Sequence, residues 1–596
     1  MVDWRDADHV ICGGSLGVTI TTNGGSSWTT ISTAQIPAST ATGPDGAEQV
    51  YLLAFDPNPS GPVASGRTQT IYCFSVGIGV YKTTNGGTTW ALAAASGPTT
   101  AIAMDVSVAG KVFVTPPASG DMNMRMLPSG GAWASVSTDP LGVTDEAHAV
   151  NGVACDPTNA LRVVALSEMG ALSYSVDGGA TWTGYGTHVS TFGPITWMST
   201  LYGGTGTFGL LGLSLTFDPS DGTLHQGHGL GTCKTTPSWV KDLTTWVDNS
   251  VGLEQLCAKR LIKPPGNPKV IMAAMDMGMF ACDGTNYPAT KGTTDSFCAA
   301  WDVDYCSTDP NTIVCILNQS PAPLPFEVSG KSSNGGGTWT QFSDKTFNAT
   351  NRSGGMLAVG SDPNNYILAL GDNGLANGLY YTTNGGTSWA LGNFSAIPAI
   401  PASGDVGWLQ NYYFARHTLC SDKVLANTFY GRNNNAGYVR STDGGATWTL
   451  RFALVGSTTA NARLQAVPGN AGHLFYAEGL GPGQLTGPPY DNFYNAMTRS
   501  TDGGATWTQA HALVKEVHAI GFGKALAGGY PSIYIAGFYN NVYGIYRSDD
   551  NAVTWVKIGD YPLGCFDTAV DITGDPDVYG TCYLSLGASG IFKYIP

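Results

Sequence analysis

Short apolar runs, broken at regular intervals by turn-forming residues, dominate the chain and fit strands rather than helices. A run such as Val50-Tyr51-Leu52-Leu53-Ala54-Phe55 leads to Asp-Pro, and the pair recurs in Asp56-Pro57, Asp156-Pro157, Asp218-Pro219 and Asp362-Pro363. A second run follows, then a third that ends in a recurring octapeptide, then a fourth opened by Trp. Such four-strand units at intervals of about fifty residues predict propeller blades. No sustained helical period is visible, so the expected class is all-β.

The octapeptide reads Ser/Thr-x-Asp/Asn-x-Gly-x-x-Trp and is cleanest in Ser441-Thr442-Asp443-Gly444-Gly445-Ala446-Thr447-Trp448. Further copies end at Trp28, Trp90, Trp182, Trp339, Trp389 and Trp507, and a worn copy runs from Ser548 through Asp550 to Trp555 with Ala552 in the glycine position. This is the Asp-box. Its Asp or Asn accepts hydrogen bonds from nearby backbone N–H groups, Ser/Thr does the same more weakly, and Gly supplies a left-handed dihedral. The Trp opens the next strand and folds back over the turn. These residues are expected to be structural.

The strand-opening residues set the domain count. Trp28, Trp90, Trp133 and Trp182 mark about four units before a Gly/Thr/aromatic stretch from Gly184 to Gly212 interrupts the rhythm. Units at Trp246, around Phe280, and at Trp339, Trp389, Trp448, Trp507 and Trp555 make seven more. The expectation is tandem β-propellers of four-stranded blades: a short set of about four blades over 1–205 and a seven-bladed propeller over 206–596. Four blades are few for a closed ring. The first domain is therefore small or partly open, or borrows a strand such as Gly590-Ile591-Phe592-Lys593-Tyr594. An open edge would be covered by the second domain or another subunit.

Composition then narrows the function. Among 596 residues there are 80 Gly and only 28 Lys and Arg, and the formal charge is −15; this disfavours nucleic acid and anionic membranes as partners. Neither a signal peptide nor a membrane helix of roughly 20 apolar residues is visible. Of the 12 cysteines, Cys282, Cys298, Cys306 and Cys315 form a loose cluster that leaves disulfides and buried thiols both open. His225 and His228 lack matching partners, and neither metal nor cofactor is expected. A sialidase is disfavoured by the lack of a recognisable arginine triad.

From about residue 212 onward, four landmarks resemble glycoside hydrolase family 74, the two-propeller xyloglucanases. The first is Leu213-Ser214-Leu215-Thr216-Phe217-Asp218-Pro219-Ser220-Asp221, followed by His228-Gly229-Leu230-Gly231-Thr232 and Asp242-Leu243-Thr244-Thr245-Trp246. The second is Val251-Gly252-Leu253-Glu254-Gln255 with Leu261-Ile262-Lys263-Pro264-Pro265-Gly266. The third is Gly521-Phe522-Gly523-Lys524-Ala525, and the fourth is Ile572 to Gly580 with Gly590-Ile591-Phe592.

The resemblance implies an inverting pair of aspartates, one acid and one base, with carboxyls roughly 6.5–9.5 Å apart. By landmark Asp218 matches the acid. The base position falls in Gly13-Gly14-Ser15-Leu16-Gly17, where Ser15 stands in place of a carboxylate, and a neutral hydroxyl cannot act as that base. Asp3, Asp6 or Asp8 are the candidate substitutes. The tryptophan that the family places shortly before the acid is replaced by Leu211 or a neighbour.

Three readings follow. The first is a non-catalytic glycan-recognition or structural surface protein, extracellular or on a virion, such as a phage appendage assembling with other subunits. The second is an active endo-β-1,4-glucanase or xyloglucanase using Asp218. The third is a propeller scaffold for a protein partner. For a glycan, the candidate aromatic platforms are Tyr185, Trp197, Tyr202, Trp408, Tyr412 and Tyr413, all in segments without an Asp-box.

Overall fold

The architecture was analysed in a computed structural model. It describes residues 1–41, 50–95, 97–98, 101–115, 124–136, 150–167, 172–185, 189–191, 193, 195, 197, 214–229, 231–241, 245–252, 256–275, 277–283, 298–319, 329–344, 355–370, 378–401, 408, 417–456, 462–478, 497–560 and 568–596. The chain is all-β and divides into two compact units, Met1–Glu254 and Gln255–Pro596. Among the described residues no helix is long and apolar enough to cross a membrane.

In the first unit the described residues form four antiparallel sheets, a fifth that is mixed, and a small hairpin, Val63–Ala64 with Arg67–Thr68. The inner strands of the second to fifth sheets are Tyr51–Phe55, Ala103–Val106, Val150–Cys155 and Ser214–Phe217. The sheet that ends in Thr245–Asp248, opened by Thr245 and Trp246, belongs here and not to the second unit. Its Phe217, Leu224, Cys233 and Trp246 share a core with Ala154, Val164, Leu166 and Tyr174 of the fourth sheet. The division therefore falls about fifty residues beyond the position expected from the Gly-rich interruption, between Glu254 and Gln255. Part of that interruption is itself strand: Val189–Thr191 pairs in parallel with Thr245–Val247.

Among its described residues the second unit contains seven sheets, the first of which opens with Ala258–Ile262. The seventh sheet is Ala569–Gly574, Cys582–Leu586 and Ile591–Tyr594. It carries no octapeptide, which hid it from a pattern keyed on Trp. The terminal strand Ile591–Tyr594 thus completes this sheet, pairing with Cys582–Ser585, and is not lent to the first unit. The ring closes where Ala569–Gly574 lies against the first inner strand, Ala258–Ile262.

Each octapeptide lies between the third and fourth strands of its sheet and closes on itself. Asp443 Oδ1 accepts from Thr447 N at 2.9 Å, and Gly445 N donates to Ser441 Oγ at 2.9 Å. Trp448 Nε1 donates back to Gly445 O at 2.9 Å, and its ring is buried. The worn copy keeps two of these bonds: Ala552 N donates to Ser548 Oγ at 3.0 Å and Thr554 N to Asp550 Oδ1 at 2.8 Å, while Ala552 sits at φ 66°. These two bonds hold an alanine in a conformation that costs roughly 1–2 kcal/mol, while Trp555 Nε1 lacks the bond that Trp448 makes.

Neighbouring inner strands approach one another without forming a continuous sheet, and side chains bridge them. Asp105 accepts from Cys155 N at 2.8 Å, Asp302 from Leu357 N at 2.7 Å, Asp304 from Val359 N at 2.8 Å and Asp571 from Leu261 N at 2.9 Å. Where the sixth and seventh sheets meet, glycine allows direct backbone approach: a Cβ on Gly521 would lie 2.0 Å from Ile572 O.

The turns make stability acid-sensitive. Partial burial raises the Asp177 carboxyl, but bonds from Thr181 and Ser175 outweigh it and hold the group at about 2, below the ordinary 3.8. Asp502 is held at about 2 by the same balance with Thr506 and Ser500. A depressed folded-state pKa means that this stabilisation is complete above the unfolded value and is lost as pH falls through the folded one. The unfolding midpoint should therefore drop between about pH 4 and 2, with a shallower drop for Asp177→Asn/Asp502→Asn; an identical pH slope in the double variant would remove these turns as the cause.

Candidate functional site

Asp218 follows the inner strand Ser214–Phe217. Its backbone N donates to Thr223 O at 2.7 Å, and its Oδ1 accepts from Ser220 N at 2.8 Å and Ser220 Oγ at 2.5 Å. The other Asp-Pro pairs repeat the arrangement. Asp56 Oδ1 accepts from Asn58 N at 3.0 Å, Asp156 from Thr158 N at 2.8 Å and Asp362 from Asn364 N at 2.8 Å. The bonds from Ser220 lower the Asp218 carboxyl below its ordinary value. A general acid at neutral pH needs the opposite shift.

The other half of the implied pair is equally constrained. Ser15 is exposed in the tight turn between Asp6–Gly14 and Gly17–Thr21, where Gly14 pairs with Gly17. Asp3 is buried and fully engaged: it accepts from Thr68 Oγ1 at 2.6 Å, Thr68 N at 2.7 Å and Arg5 N at 3.0 Å, and meets His9 Nδ1 at 2.9 Å. Asp6 pairs with Arg67 Nε at 2.6 Å. Of the three candidate substitutes, Asp8 alone is an exposed carboxylate without an ion pair among the described residues.

The aromatic candidates divide in two. Trp408, Trp197 and Tyr185 are 2%, 1% and 1% exposed and present no ring face to a ligand. Trp408 packs edge-on to Trp448 with centroids 6.4 Å apart and against Phe394 at 6.2 Å; Tyr185 lies 4.5 Å from Tyr174. These three are corrected from platforms to core residues, because a large ring in an unpatterned segment was free to turn inward. Tyr202, Tyr412, Tyr413 and Leu211 lie outside the described residues.

Cys282 and Cys306 are free thiols, Cys315 is buried, the Cys298 side chain lies outside the described residues, and the described residues hold no group of three or more His, Cys, Asp or Glu suited to a metal. Burial pushes His228 down to about 4.

Sequence reasoning missed a concentration of charge on the axis of the second unit. A cavity of about 350 Å³ is lined by Arg260, Lys263, Asp304, His417, Lys423 and Lys524, among others. Arg260 Nη1 lies 3.0 Å from Asp571 Oδ2, His417 Nε2 2.9 Å from Asp302 Oδ2, and Lys423 Nζ 2.9 Å from Asp304 Oδ2. Burial opposes ionisation of Asp302, but His417 and Arg260 outweigh it and hold the carboxyl below its ordinary value. The signal was present in the sequence: Leu261-Ile262-Lys263, Phe522-Gly523-Lys524 and Ile572-Thr573-Gly574, all within the family-like landmarks, line this cavity.

No family model matches the chain. A xyloglucanase of a Paenibacillus species is 29% identical over 593 residues, covering 91% of this chain and 53% of the relative. A xyloglucanase of Acetivibrio thermocellus is 27% identical over 595 residues, covering 91% of this chain and 63% of the relative. The chain thus spans 53% to 63% of the length of these curated relatives. Among solved structures, a glycoside hydrolase family 74 enzyme of Niastella koreensis superposes with TM-score 0.68 at 22% identity, covering 99% of this chain and 81% of that one. The family 74 xyloglucanase of Xanthomonas campestris gives 0.73 at 20%, covering 100% and 82%. The chain has a family-74-like double β-propeller fold.

The Asp218 geometry has a direct spectroscopic consequence. Its side-chain carboxyl should titrate below the ordinary 3.8 when followed by ¹³C NMR with Asp218→Asn as the assignment control. A midpoint near about 6, where buried catalytic acids are tuned, would contradict the turn assignment.

Proposed function

We propose that this protein is a glycan-recognition protein that uses a hydrolase-type double propeller to hold a β-glucan of the xyloglucan class without cleaving it. The observation that carries the reading is the state of Asp218: its carboxylate serves the same Asp-Pro turn as Asp56, Asp156 and Asp362, and its pKa is shifted away from that of a proton donor. Ser15 supplies no base at the matching turn. The relatives named xyloglucanases support the polysaccharide class. In this reading the protein works outside the cell or on the surface of a particle, as a recognition or structural element.

The second reading is an inverting endo-β-1,4-glucanase with Asp218 as acid. It is favoured by a likeness to xyloglucanases that runs over 91% of the chain. The two separate cleanly. On the recognition reading the protein is retarded in native gels containing xyloglucan and releases no reducing ends above a blank, and Asp218→Asn leaves the retardation unchanged. Release of reducing ends that vanishes in Asp218→Asn would establish hydrolysis instead. Failure to be retarded by xyloglucan or by any of a panel of β-glucans would sink the recognition reading.

A further inference from the structure

The axial cavity of the second unit contains buried hydrogen-bonding atoms that the protein itself leaves unpaired. Arg260 is fully engaged on one side, with Nη1 at 3.0 and 3.3 Å from the two oxygens of Asp571. Its Nε has no hydrogen-bond partner, and the nearest carboxylate oxygen, Asp302 Oδ1, is 3.8 Å away. His417 is 4% exposed; its Nε2 faces Asp302 Oδ2 at 2.9 Å and Leu357 O at 3.2 Å, and its Nδ1 has no partner. Both residues line the cavity. Just behind them Arg463 is buried, donates from Nη2 to Val570 O, and also leaves Nε unpaired.

The unpaired Arg260 Nε–H calls for an acceptor, because it carries its desolvation cost without compensation; His417, whose Nε2 donates to Asp302, offers Nδ1 as a second donor when the ring is an imidazolium paired with that carboxylate. The charge of the lining specifies which. Arg260, Lys263, Lys423 and Lys524 line the cavity against one carboxylate, Asp304, in a chain of net charge −15. Carboxylates pair with three of these cations: Asp571 and Asp302 with Arg260, the lining Asp304 with Lys423, and Asp577 at 3.3 Å and Asp575 at 3.8 Å with Lys263. Lys524 at the mouth is exposed and donates to the backbone oxygen of Asp577 at 2.8 Å, so its charge is not neutralised by that contact. The volume, about 350 Å³, exceeds the share of a single water, about 30 Å³, more than tenfold.

We propose that this cavity is a binding site for a small oxyanion, a carboxylate or phosphate group, which enters past Lys524 and Lys423 and accepts from Arg260 Nε with His417 Nδ1 as the second anchor. Two sources share that chemistry: the carboxylate of an acidic sugar and free inorganic phosphate. The site rests on this cavity alone and does not depend on recognition of a neutral β-glucan.

Calorimetric titration of the full chain in low-chloride buffer with sodium phosphate, sodium glucuronate and glucose tests it. Phosphate or glucuronate should bind and glucose should not. Glucuronate alone would identify the acidic sugar as the source, phosphate alone the free anion, and both a site for the shared group. Lys524→Ala, at an exposed position that supports no core contact, should weaken binding about two- to fivefold with an unchanged unfolding midpoint. His417→Gln should weaken it by about tenfold or more. Absence of heat with both anions, equal binding of glucose, or affinity unaltered in Lys524→Ala would overturn the proposal; the last outcome decides even if His417→Gln fails to fold.

Discussion

The second unit depends on carboxylates that reach from one inner strand to the backbone of the next. Blades pack face to face through apolar side chains, but that contact leaves the N–H groups along each inner edge without strand partners, and a buried N–H must be paired. A carboxylate supplies a strong, charge-assisted acceptor. Asp302 and Asp304 serve Leu357 and Val359 between the second and third sheets. Asp571 serves Leu261 at the closure, where the chain's last sheet must meet its first. There Arg260 neutralises the buried charge, Leu256 N donates to Ala588 O at 3.2 Å, and Asp577 accepts from Gly266 N at 2.7 Å. Removing one member of such a buried pair typically costs about 3–5 kcal/mol.

The same economy governs the rest of the acids. Asp443 and its counterparts hold octapeptide turns, and Asp218 joins Asp56, Asp156 and Asp362 in Asp-Pro turns. In this chain an aspartate at a strand end is first a backbone acceptor. That is why a hydrolase-type scaffold accommodates Ser15 at the implied base position without losing its fold: the turn there is set by Gly14 and Gly17, not by a carboxylate.

The fold was largely legible because its punctuation is chemical. Octapeptide Asp, Gly and Trp mark a strand connection by what each atom must bond, and the Asp-Pro pairs mark the turn after the inner strand. What lacked punctuation was misplaced. The seventh sheet has no octapeptide, so the sheet ending at Trp246 was assigned in its stead, although its Phe217 and Leu224 pack on Ala154 and Val164. The site was less legible. Burial of Trp408 and Trp197 is decided by tertiary packing, which spacing along the chain does not encode. The charged axis is assembled from Arg260, Asp302 and Asp571 of three inner strands and His417 just before a fourth, and no local motif joins them.

Equilibrium unfolding of Asp571→Asn beside Asp218→Asn tests most directly the claim that these acids are architectural and that ring closure bears the greater share. The amide keeps an acceptor oxygen for Leu261 N but removes the charge that faces Arg260. The account predicts a loss of about 3–5 kcal/mol for Asp571→Asn and of about 1 kcal/mol or less for Asp218→Asn in its exposed turn. An Asp571→Asn protein within about 0.5 kcal/mol of the parent would contradict it.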